Sequence, residues 1–239
     1  MLFRSDYYKL VKEDDEERII MLNSITTNTT KFFRENHHFE FLRDTLIPEL
    51  LHSRQAGREI RIWSAGCSTG EEPYSIAITV CEALRDCFRT PDPADPYCGW
   101  DIRILASDIS TKVLATAQAG LYEREQIPAG IPPELLQRYF LKGHSSCANK
   151  VKVKGFLKDA IRFRRLNFKD VTYPFSKKFD LIFCRNVMIY FDDPMKNHLF
   201  HKFHQHLAHD GHLFLGHSET MTAGTSMFSP VHITVYRRQ

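Results

Sequence analysis

The sequence predicts an α/β protein built on a mostly parallel sheet. From residue 60 onward, short apolar runs alternate with helical patterns, as strand 60–65, helix 73–88, strand 102–107 and helix 110–119. Such alternation is typical of parallel strands joined by helices that cover both faces of the sheet. The first strand also leads through a glycine-containing turn into a helix, and ligands bind at this edge of open α/β sheets.

The turn after the first strand lies within IRIWSAGCSTGEEPYS, residues 60–75. Gly66 and Gly70 give the backbone freedom and let a ligand approach the main chain. A loop that binds pyrophosphate leaves the amides of the helix N-terminus free for an anion, but here Glu71 and Glu72 stand at that place. We therefore expect a ligand that presents a cation, such as the ammonium group of S-adenosylmethionine.

An acid follows the second strand, as Asp108 in the segment LASDIS. At this position of a nucleotide-binding sheet, an acid hydrogen-bonds the ribose hydroxyls. The spacing from the glycine turn exceeds the roughly 20 residues of a compact nucleotide-binding unit. The double glutamate and Asp108 together favour an adenosyl ligand over the alternative that they are ordinary turn residues of an α/β protein.

The alternation stops between about residues 121 and 160, and we interpret this stretch as a small inserted β-subdomain. Further predicted elements are helix 134–140, strands 151–157, 161–166 and 179–184, helix 194–207, and strands 212–216 and 233–237. A final hairpin of two strands is typical of class I S-adenosylmethionine-dependent methyltransferases, which have a Rossmann-like, mostly parallel sheet with an antiparallel C-terminal hairpin. A dinucleotide-binding dehydrogenase would continue with parallel strands.

Polar or aromatic residues follow two more predicted strands at the edge where ligands bind. Asn167 and Phe168 come after one of them, where an amide and a ring could read and cover an adenine. Arg185, Asn186 and Tyr190 follow the next strand. We expect a substrate to meet the cofactor at this second position.

The composition is that of a globular protein with a substantial core, since 43% of the 239 residues are hydrophobic. No apolar run is long enough to cross a bilayer, so we expect a cytoplasmic protein without membrane insertion. Six cysteines without a CxxC pair favour reduced thiols. His198, His201 and His204 could share one helical face, but no cysteine or carboxylate set completes a shell, so we expect no metal site.

The net charge of +3 is unevenly distributed along the chain. Residues 138–169 contain ten Lys or Arg and one acid, Asp159, whereas residues 13–17 are acidic. A basic patch of this size attracts nucleic acid, an acidic protein surface or anionic lipid. No nucleic-acid-binding motif accompanies it, so we expect no DNA partner.

Five stretches resemble the chemotaxis receptor glutamate O-methyltransferases, the CheR family. They are TTNTTKFFRENHHF (26–39), IRIWSAGCSTGEEPYSIA (60–77), LASDIS (105–110), FDLIFCRNVMIYF (179–191) and LFLGHSE (213–219). The resemblance implies that S-adenosylmethionine donates a methyl group to glutamate γ-carboxyl groups in a chemoreceptor signalling domain, leaving S-adenosylhomocysteine. It also implies an adaptation role in chemotaxis.

The resemblance assigns cofactor-binding roles residue by residue. It places Asn28, Thr30 and Arg34 in the pocket wall, Glu71 or Glu72 at the methionine ammonium, Asp108 at the ribose, Asn167 and Phe168 at the adenine, and Arg185 and Asn186 at the pocket floor. Methyl transfer to a carboxylate needs no general base, because a glutamate is ionised near neutral pH. Positioning then carries the catalysis, and Arg34 and Tyr190 are the candidate catalytic residues that orient the acceptor.

Both candidate catalytic residues have simpler alternatives. Arg34 could form a helix salt bridge with Glu35 or Asp44, and Tyr190 could be a half-buried core ring. Family members usually carry a longer helical N-terminal domain, so we expect residues 1–47 to be a short N-terminal helical segment and residues 48–239 the methyltransferase domain.

Partners follow from the same resemblance. We expect a monomer that acts on a chemoreceptor signalling domain. Some members grip a receptor C-terminal peptide with the inserted subdomain, through a glycine-rich loop that would lie at residues 142–149. Only Gly143 stands there, so binding of a receptor peptide by this loop is left as an alternative. Other functions left open are a non-catalytic adenosyl-binding scaffold or sensor and an RNA methyltransferase, with a nicotinamide dehydrogenase more distant.

Overall fold

A computed structural model of the chain describes residues 4–25, 29–88, 92, 95–219, 221 and 226–239. Its helices are α1 (Arg4–Glu13), α2 (Asp15–Ile25), α3 (His37–Phe41), α4 (Ile47–Ser53), α5 (Glu71–Phe88), α6 (Thr111–Ala119), α7 (Pro133–Tyr139), α8 (Gly155–Asp159) and α9 (Asp193–His206). Its strands are β1 (Glu59–Ala65), β2 (Asp101–Asp108), β3 (Leu121–Glu123), β4 (Phe140–Lys142), β5 (Lys150–Val153), β6 (Ile161–Arg165), β7 (Phe179–Cys184), β8 (Leu207–Leu215), β9 (Phe228–His232) and β10 (Val235–Arg238).

The described residues form a central sheet of seven strands in the order β6-β2-β1-β7-β8-β10-β9. Strands β6, β2, β1, β7 and β8 pair in parallel, and β10 pairs antiparallel with both β8 and β9. This is the predicted class I methyltransferase sheet with its antiparallel C-terminal hairpin, so the predicted fold class is confirmed. The carboxyl ends of β1, β2, β7 and β8 meet at one edge.

Two apolar clusters cover the two faces of this sheet. Along β7, Leu181 and Phe183 face the cluster that includes α5, while Ile182 and Cys184 face the cluster that includes α9. All six residues of β7 are buried, as expected for a central parallel strand. The run FDLIFC therefore fixes the middle of the sheet and the position of the polar residues that follow it.

The N-terminal part packs against the inserted subdomain. The ring of Phe32 meets Tyr122 and Phe140 edge-on, with ring centroids 5.0 and 5.6 Å away. After a turn, α3 continues through a π-helical segment, Leu42–Leu46, into α4. This helical stretch continues across the predicted boundary between residues 47 and 48.

The inserted subdomain contains a three-stranded sheet in the order β3-β5-β4. The predicted strand 151–157 was wrong in its second half, because β5 ends at Val153 and Gly155 begins α8. Lys150 and Lys152 still alternate with buried valines, but Lys154 bends toward α7 and donates to the Gln137 carbonyl at 2.8 Å. The three lysines therefore do not form one continuous strand face.

Other boundaries also differ from the sequence-based expectation. Helix α5 begins at Glu71 instead of residue 73, which places both glutamates of the glycine turn in the first helical turn. Strand β8 begins five residues before the predicted 212, at Leu207. Strand β9 was missed; it lies at the sheet edge and contains Pro230, a residue that strands tolerate mainly at edges.

Candidate functional site at the carboxyl edge of the sheet

The glycine turn after β1 packs closely against its neighbours. Gly66 and Gly70 have φ values of +88° and +99°, which L side chains rarely adopt. A Cβ on Gly66 would lie 2.5 Å from Val187 Cγ2, and one on Gly70 would lie 2.8 Å from Ala117 Cβ. Both glycines are thus required by backbone conformation and by close packing, which fixes the turn at the sheet edge.

Asp108 ends β2 and holds this turn in place. Its Oδ2 accepts a hydrogen bond from the Ser68 backbone N–H at 2.9 Å, and its Oδ1 accepts from the Ser110 N–H at 2.9 Å. Burial raises the pKa of Asp108. The carboxylate is only half-buried, so it can accept further hydrogen bonds from a ligand at the edge.

Glu71 and Glu72 occupy the first turn of α5, where negative charge complements the helix dipole. Glu71 is 1% exposed and accepts a hydrogen bond from Thr69 Oγ1 at 2.6 Å. Glu72 accepts from Ser64 Oγ at 2.7 Å. Burial raises the pKa of both glutamates, and for Glu72 the nearby Arg185 partly offsets this effect.

Arg185 follows β7 and is the centre of a buried ion-pair network. Its side chain is 2% exposed, and its guanidinium lies 3.4 Å from Glu72 Oε2 and 3.2 Å from Glu35 Oε2. It also donates to the Arg34 carbonyl. The Arg185 Nε–H is buried and lacks a hydrogen-bond partner among the described residues. A bound carboxylate could accept from it.

Glu35 is a site residue that sequence reasoning missed. Its Oε1 accepts hydrogen bonds from Asn186 Nδ2 and from the His217 N–H, each at 3.2 Å. Burial acts to raise the pKa of Glu35, but Arg185 and these donors outweigh it and lower the pKa. We had considered Glu35 only as a partner for Arg34, whereas it joins the N-terminal segment to the ends of β7 and β8.

Glu219 was also missed, although it lies in the quoted stretch LFLGHSE. It is buried and accepts three backbone hydrogen bonds, each at 2.7 Å, from Asn186, Met188 and Gly216. Asn186 itself has a φ of +60°, a conformation that a non-glycine residue adopts at some cost. The buried carboxylate thus holds the strained segment after β7 against the end of β8.

The two candidate catalytic residues do not show the simpler alternatives. Arg34 Nη1 donates to the Thr29 carbonyl at 3.0 Å, while Glu35 pairs with Arg185 and Asp44 pairs with Arg43. Arg34 has no ion-pair partner in the part of the chain that the structure describes. Tyr190 is 59% exposed, so it is not a half-buried core ring.

The remaining predicted residues are placed more peripherally. Phe168 is partly buried and meets Trp63, Phe191 and Phe203 edge-on, so only part of its ring can face a ligand. Asn167 Oδ1 accepts from the Lys169 N–H at 3.0 Å.

Two other predicted members of the pocket wall are Thr30 and Asn28. Thr30 lines a separate cavity of about 730 Å³, together with residues of α5 and of the inserted subdomain. Asn28 lies outside the described residues.

Other reactive side chains near the edge have structural roles. Cys67 is buried in the glycine turn, and burial raises the pKa of its thiol, which leaves it a poor nucleophile. His38 is fully buried, and its Nε2 lies 2.9 Å from Thr234 Oγ1. Burial and then Arg185 lower the pKa of His38 to about 3, so it stays neutral. The described residues contain no cluster able to hold a metal ion.

The charge of the site fits a cationic ligand. Five carboxylates lie at or beside this edge, against one buried guanidinium, that of Arg185: Glu35, Glu71, Glu72, Asp108 and Glu219. A sulfonium and an ammonium group would offset the burial of these carboxylates. The half-buried Asp108 fits ribose hydroxyls, and the unpartnered Arg185 Nε–H fits the methionine carboxylate. These donors and acceptors match S-adenosylmethionine and do not match an anionic dinucleotide.

Comparison with known proteins agrees with this chemistry. Residues 28–237 match the family model described as CheR methyltransferase, SAM binding domain. The chain belongs to the CheR methyltransferase family. The resemblance based on sequence motifs is thereby confirmed, and S-adenosylmethionine is the cofactor of this methyltransferase.

Several relatives cover most of the chain. A probable chemotaxis protein methyltransferase of Rhizobium etli is 42% identical over 91% of this chain and 77% of its own length. The chemotaxis protein methyltransferase of Escherichia coli is 41% identical over 90% of this chain and 68% of its own. The N-methyltransferase NodS of Bradyrhizobium japonicum with S-adenosylhomocysteine superimposes with a TM-score of 0.48 at 14% identity, covering 94% of this chain and 99% of that one. In the described parts of this CheR-family chain, no helix has the length and apolar character needed to span a membrane.

Proposed function

We propose that this methyltransferase acts in chemotaxis by transferring a methyl group from S-adenosylmethionine to glutamate γ-carboxylates of a chemoreceptor signalling domain. The products are glutamate methyl esters and S-adenosylhomocysteine. One observation carries the proposal: an edge rich in buried carboxylates, suited to a cationic cofactor, lies beside two groups that can face an anionic acceptor. Those groups are Arg34, which has no ion-pair partner among the described residues, and the exposed Tyr190.

The cofactor, when bound, supplies an electrophilic methyl group on its sulfonium. Around it, Asp108 accepts hydrogen bonds from the ribose, and Glu71 or Glu72 pairs with the ammonium group. Gly66 lets the ligand reach the main chain of the turn. Arg185 and Asn186 form the floor, held by Glu35 and Glu219. Asn167 and Phe168 contact the adenine, and Thr30 and Asn28 complete the wall. These roles are our assignment.

The acceptor needs orientation and removal of water, because its carboxylate is already ionised. Arg34 can pair with the acceptor carboxylate through guanidinium donors that remain after its bond to the Thr29 carbonyl. The exposed Tyr190 hydroxyl can donate one hydrogen bond to the same carboxylate. Neither group has to move a proton, so catalysis rests on holding the carboxylate in line with the methyl group.

The test is a methyl-transfer assay with labelled S-adenosylmethionine and a chemoreceptor signalling fragment. We expect label in the fragment that alkali releases as methanol, and none in a fragment whose accepting glutamates are replaced by glutamine. Alkali-stable label, or label transferred to RNA and not to the receptor, would contradict the proposal. Action in the cytoplasm and as a monomer remains a prediction from the sequence.

A further inference from the structure

One face of the central sheet is open near its β6 edge. Residues 166–178, all of which the structure describes, follow β6 without forming a helix. Rings from this segment cover Trp63 of β1, but the arginine-bearing part of β1, β2 and β6 on the same face stays open. The result is a groove of about 580 Å³. Residues of β1, β2 and β6 form the floor of this groove.

Four arginines project along this groove from three neighbouring strands. Arg61 on β1 is in register with Arg103 on β2. On β6, Arg162 and Arg164 are in register with Leu105 and Ser107 of β2. Because alternate residues of a strand share a face and strands lie about 4.8 Å apart, these side chains form a diagonal row. We call these four residues the arginine face.

The arginine face is only partly neutralised. Arg61 pairs with Glu59 at 3.1 Å and Arg103 with Asp101 at 2.6 Å. Arg162 and Arg164 are exposed and make no ion pair within the described residues. Six Lys or Arg and three Asp or Glu line the groove, which leaves an excess of three positive charges.

Strand β6 itself is unusual for a parallel sheet. Such strands are normally covered on both faces and read as near-continuous apolar runs, whereas β6 reads IRFRR. Its buried Ile161 faces the core, and its exposed arginines face the groove. The groove extends to Ser107 and Leu166, which are adjacent in sequence to Asp108 and Asn167 of the cofactor edge. A partner lying in it would reach that edge.

We propose that the arginine face docks an acidic segment of the protein substrate. This rests on the proposed function, in which the substrate is a protein that carries accepting glutamates. Arginine binds carboxylates with two parallel hydrogen bonds, which favours acidic polypeptide over a diffuse charge contact. Glu59 and Asp101 lie opposite each other at one end of the arginine row, where they would repel a phosphate backbone that continued along the groove but can pair with basic residues of a polypeptide.

The experiment compares the full-length chain with the variants Arg164→Glu and Lys112→Glu in methyl transfer to a chemoreceptor signalling fragment. Each substitution replaces one exposed positive charge by a negative one, but Lys112 lies on α6 outside the groove. We expect Arg164→Glu to raise KM for the fragment about fivefold at low salt, with a smaller difference at high salt. Its kcat and its affinity for S-adenosylhomocysteine should stay within about twofold of wild type.

Adding Arg162→Glu to Arg164→Glu should raise KM further, while Lys112→Glu should stay near wild type. Equal KM shifts in Arg164→Glu and Lys112→Glu, or no shift in the double variant, would overturn the proposal. So would stronger competition by RNA than by the fragment for the arginine face. Fluorescence anisotropy of the labelled fragment measures docking without turnover, so an absence of methyl transfer in wild type would count against the proposed function alone.

Discussion

The two halves of the carboxyl edge are built in different ways. The half at β1 and β2 is local: hydroxyls and backbone N–H groups of the glycine turn bind Glu71, Glu72 and Asp108. The half at β7 and β8 joins distant segments through buried ion pairs, because Arg185 contacts Glu35 150 positions earlier in the chain. The local half suits the ammonium and ribose groups of a cofactor, and the long-range half suits the pocket floor and fixes the segment that carries Tyr190.

This difference predicts which property a substitution in each half should change, ligand affinity or protein stability. A change in the β1–β2 half should weaken ligand binding more than it lowers stability, although Asp108 also accepts two backbone hydrogen bonds that help to hold the turn. A change in the β7–β8 half should destabilise the protein, because each carboxylate there satisfies several donors or a buried charge. Three substitutions and a change of pH test this contrast.

The largest effect is expected for Arg185→Ala. Removing the guanidinium leaves the carboxylates of Glu35 and Glu72 without their cationic partner in a buried place, which costs about 3–5 kcal/mol of unfolding free energy. Urea denaturation measures it. The exposed pair of Arg43 and Asp44 provides the matched control, and Arg43→Ala should cost under about 1 kcal/mol. Similar losses in both variants would show that the buried network adds no special stability.

A smaller effect, on binding instead of folding, is expected for Asp108→Ala. Loss of the ribose acceptor should weaken S-adenosylhomocysteine binding by about 1–3 kcal/mol in calorimetry. Asp101→Ala serves as control, because Asp101 is exposed at the opposite end of the same strand. If both variants bound the ligand as wild type does, Asp108 would lose its assigned role.

Glu219→Gln should destabilise the fold by about 1–2 kcal/mol. Glutamine keeps one acceptor oxygen but turns an amide N–H₂ toward backbone N–H groups that now donate to the carboxylate. Methyl transfer should fall together with stability, because the segment from Arg185 to Tyr190 loses its anchor. Glu40→Gln, at an exposed helix position, is the control and should leave both quantities unchanged. An unchanged midpoint of unfolding for Glu219→Gln would remove the anchoring role.

The smallest effect concerns pH. Burial raises the pKa of Glu72 above its ordinary value of 4.5, so this group stabilises the free protein at pH below 4.5, and that contribution is lost as the pH rises through the raised pKa. Binding of an ammonium group needs the ionised form, so ligand affinity should fall as the pH drops through the same range. We expect thermal stabilisation by S-adenosylhomocysteine to grow as the pH rises above 4.5, less so in Glu72→Gln. Equal slopes would exclude Glu72 from ammonium binding.

Much of the fold could be predicted from the sequence, because short apolar runs such as FDLIFC, placed between helical patterns, are typical of central strands. The residues of the β1–β2 half of the site could also be predicted from the sequence. Gly66, Glu71, Glu72 and Asp108 all follow closely after predicted strands. The contacts of Glu35 and Glu219 could not be predicted, because charge pairs between distant segments leave no periodic pattern in a sequence. Strand β6 was predicted. The exposure of its arginines was not, because it depends on residues 166–178 not forming a helix over this face of the sheet.

Within the β7–β8 half, Arg185 and Asn186 are assigned to the cofactor floor, whereas Tyr190 is assigned to positioning the acceptor alone, and this separation is the central claim. Its most direct test measures kcat for a chemoreceptor fragment and the Kd for S-adenosylhomocysteine in the same preparations of wild type and Tyr190→Phe. This substitution removes one exposed hydroxyl and keeps the ring, so the fold should not change. We predict that kcat falls about tenfold or more while Kd stays within about twofold. An unchanged kcat, or equal losses in kcat and affinity, would contradict this separation.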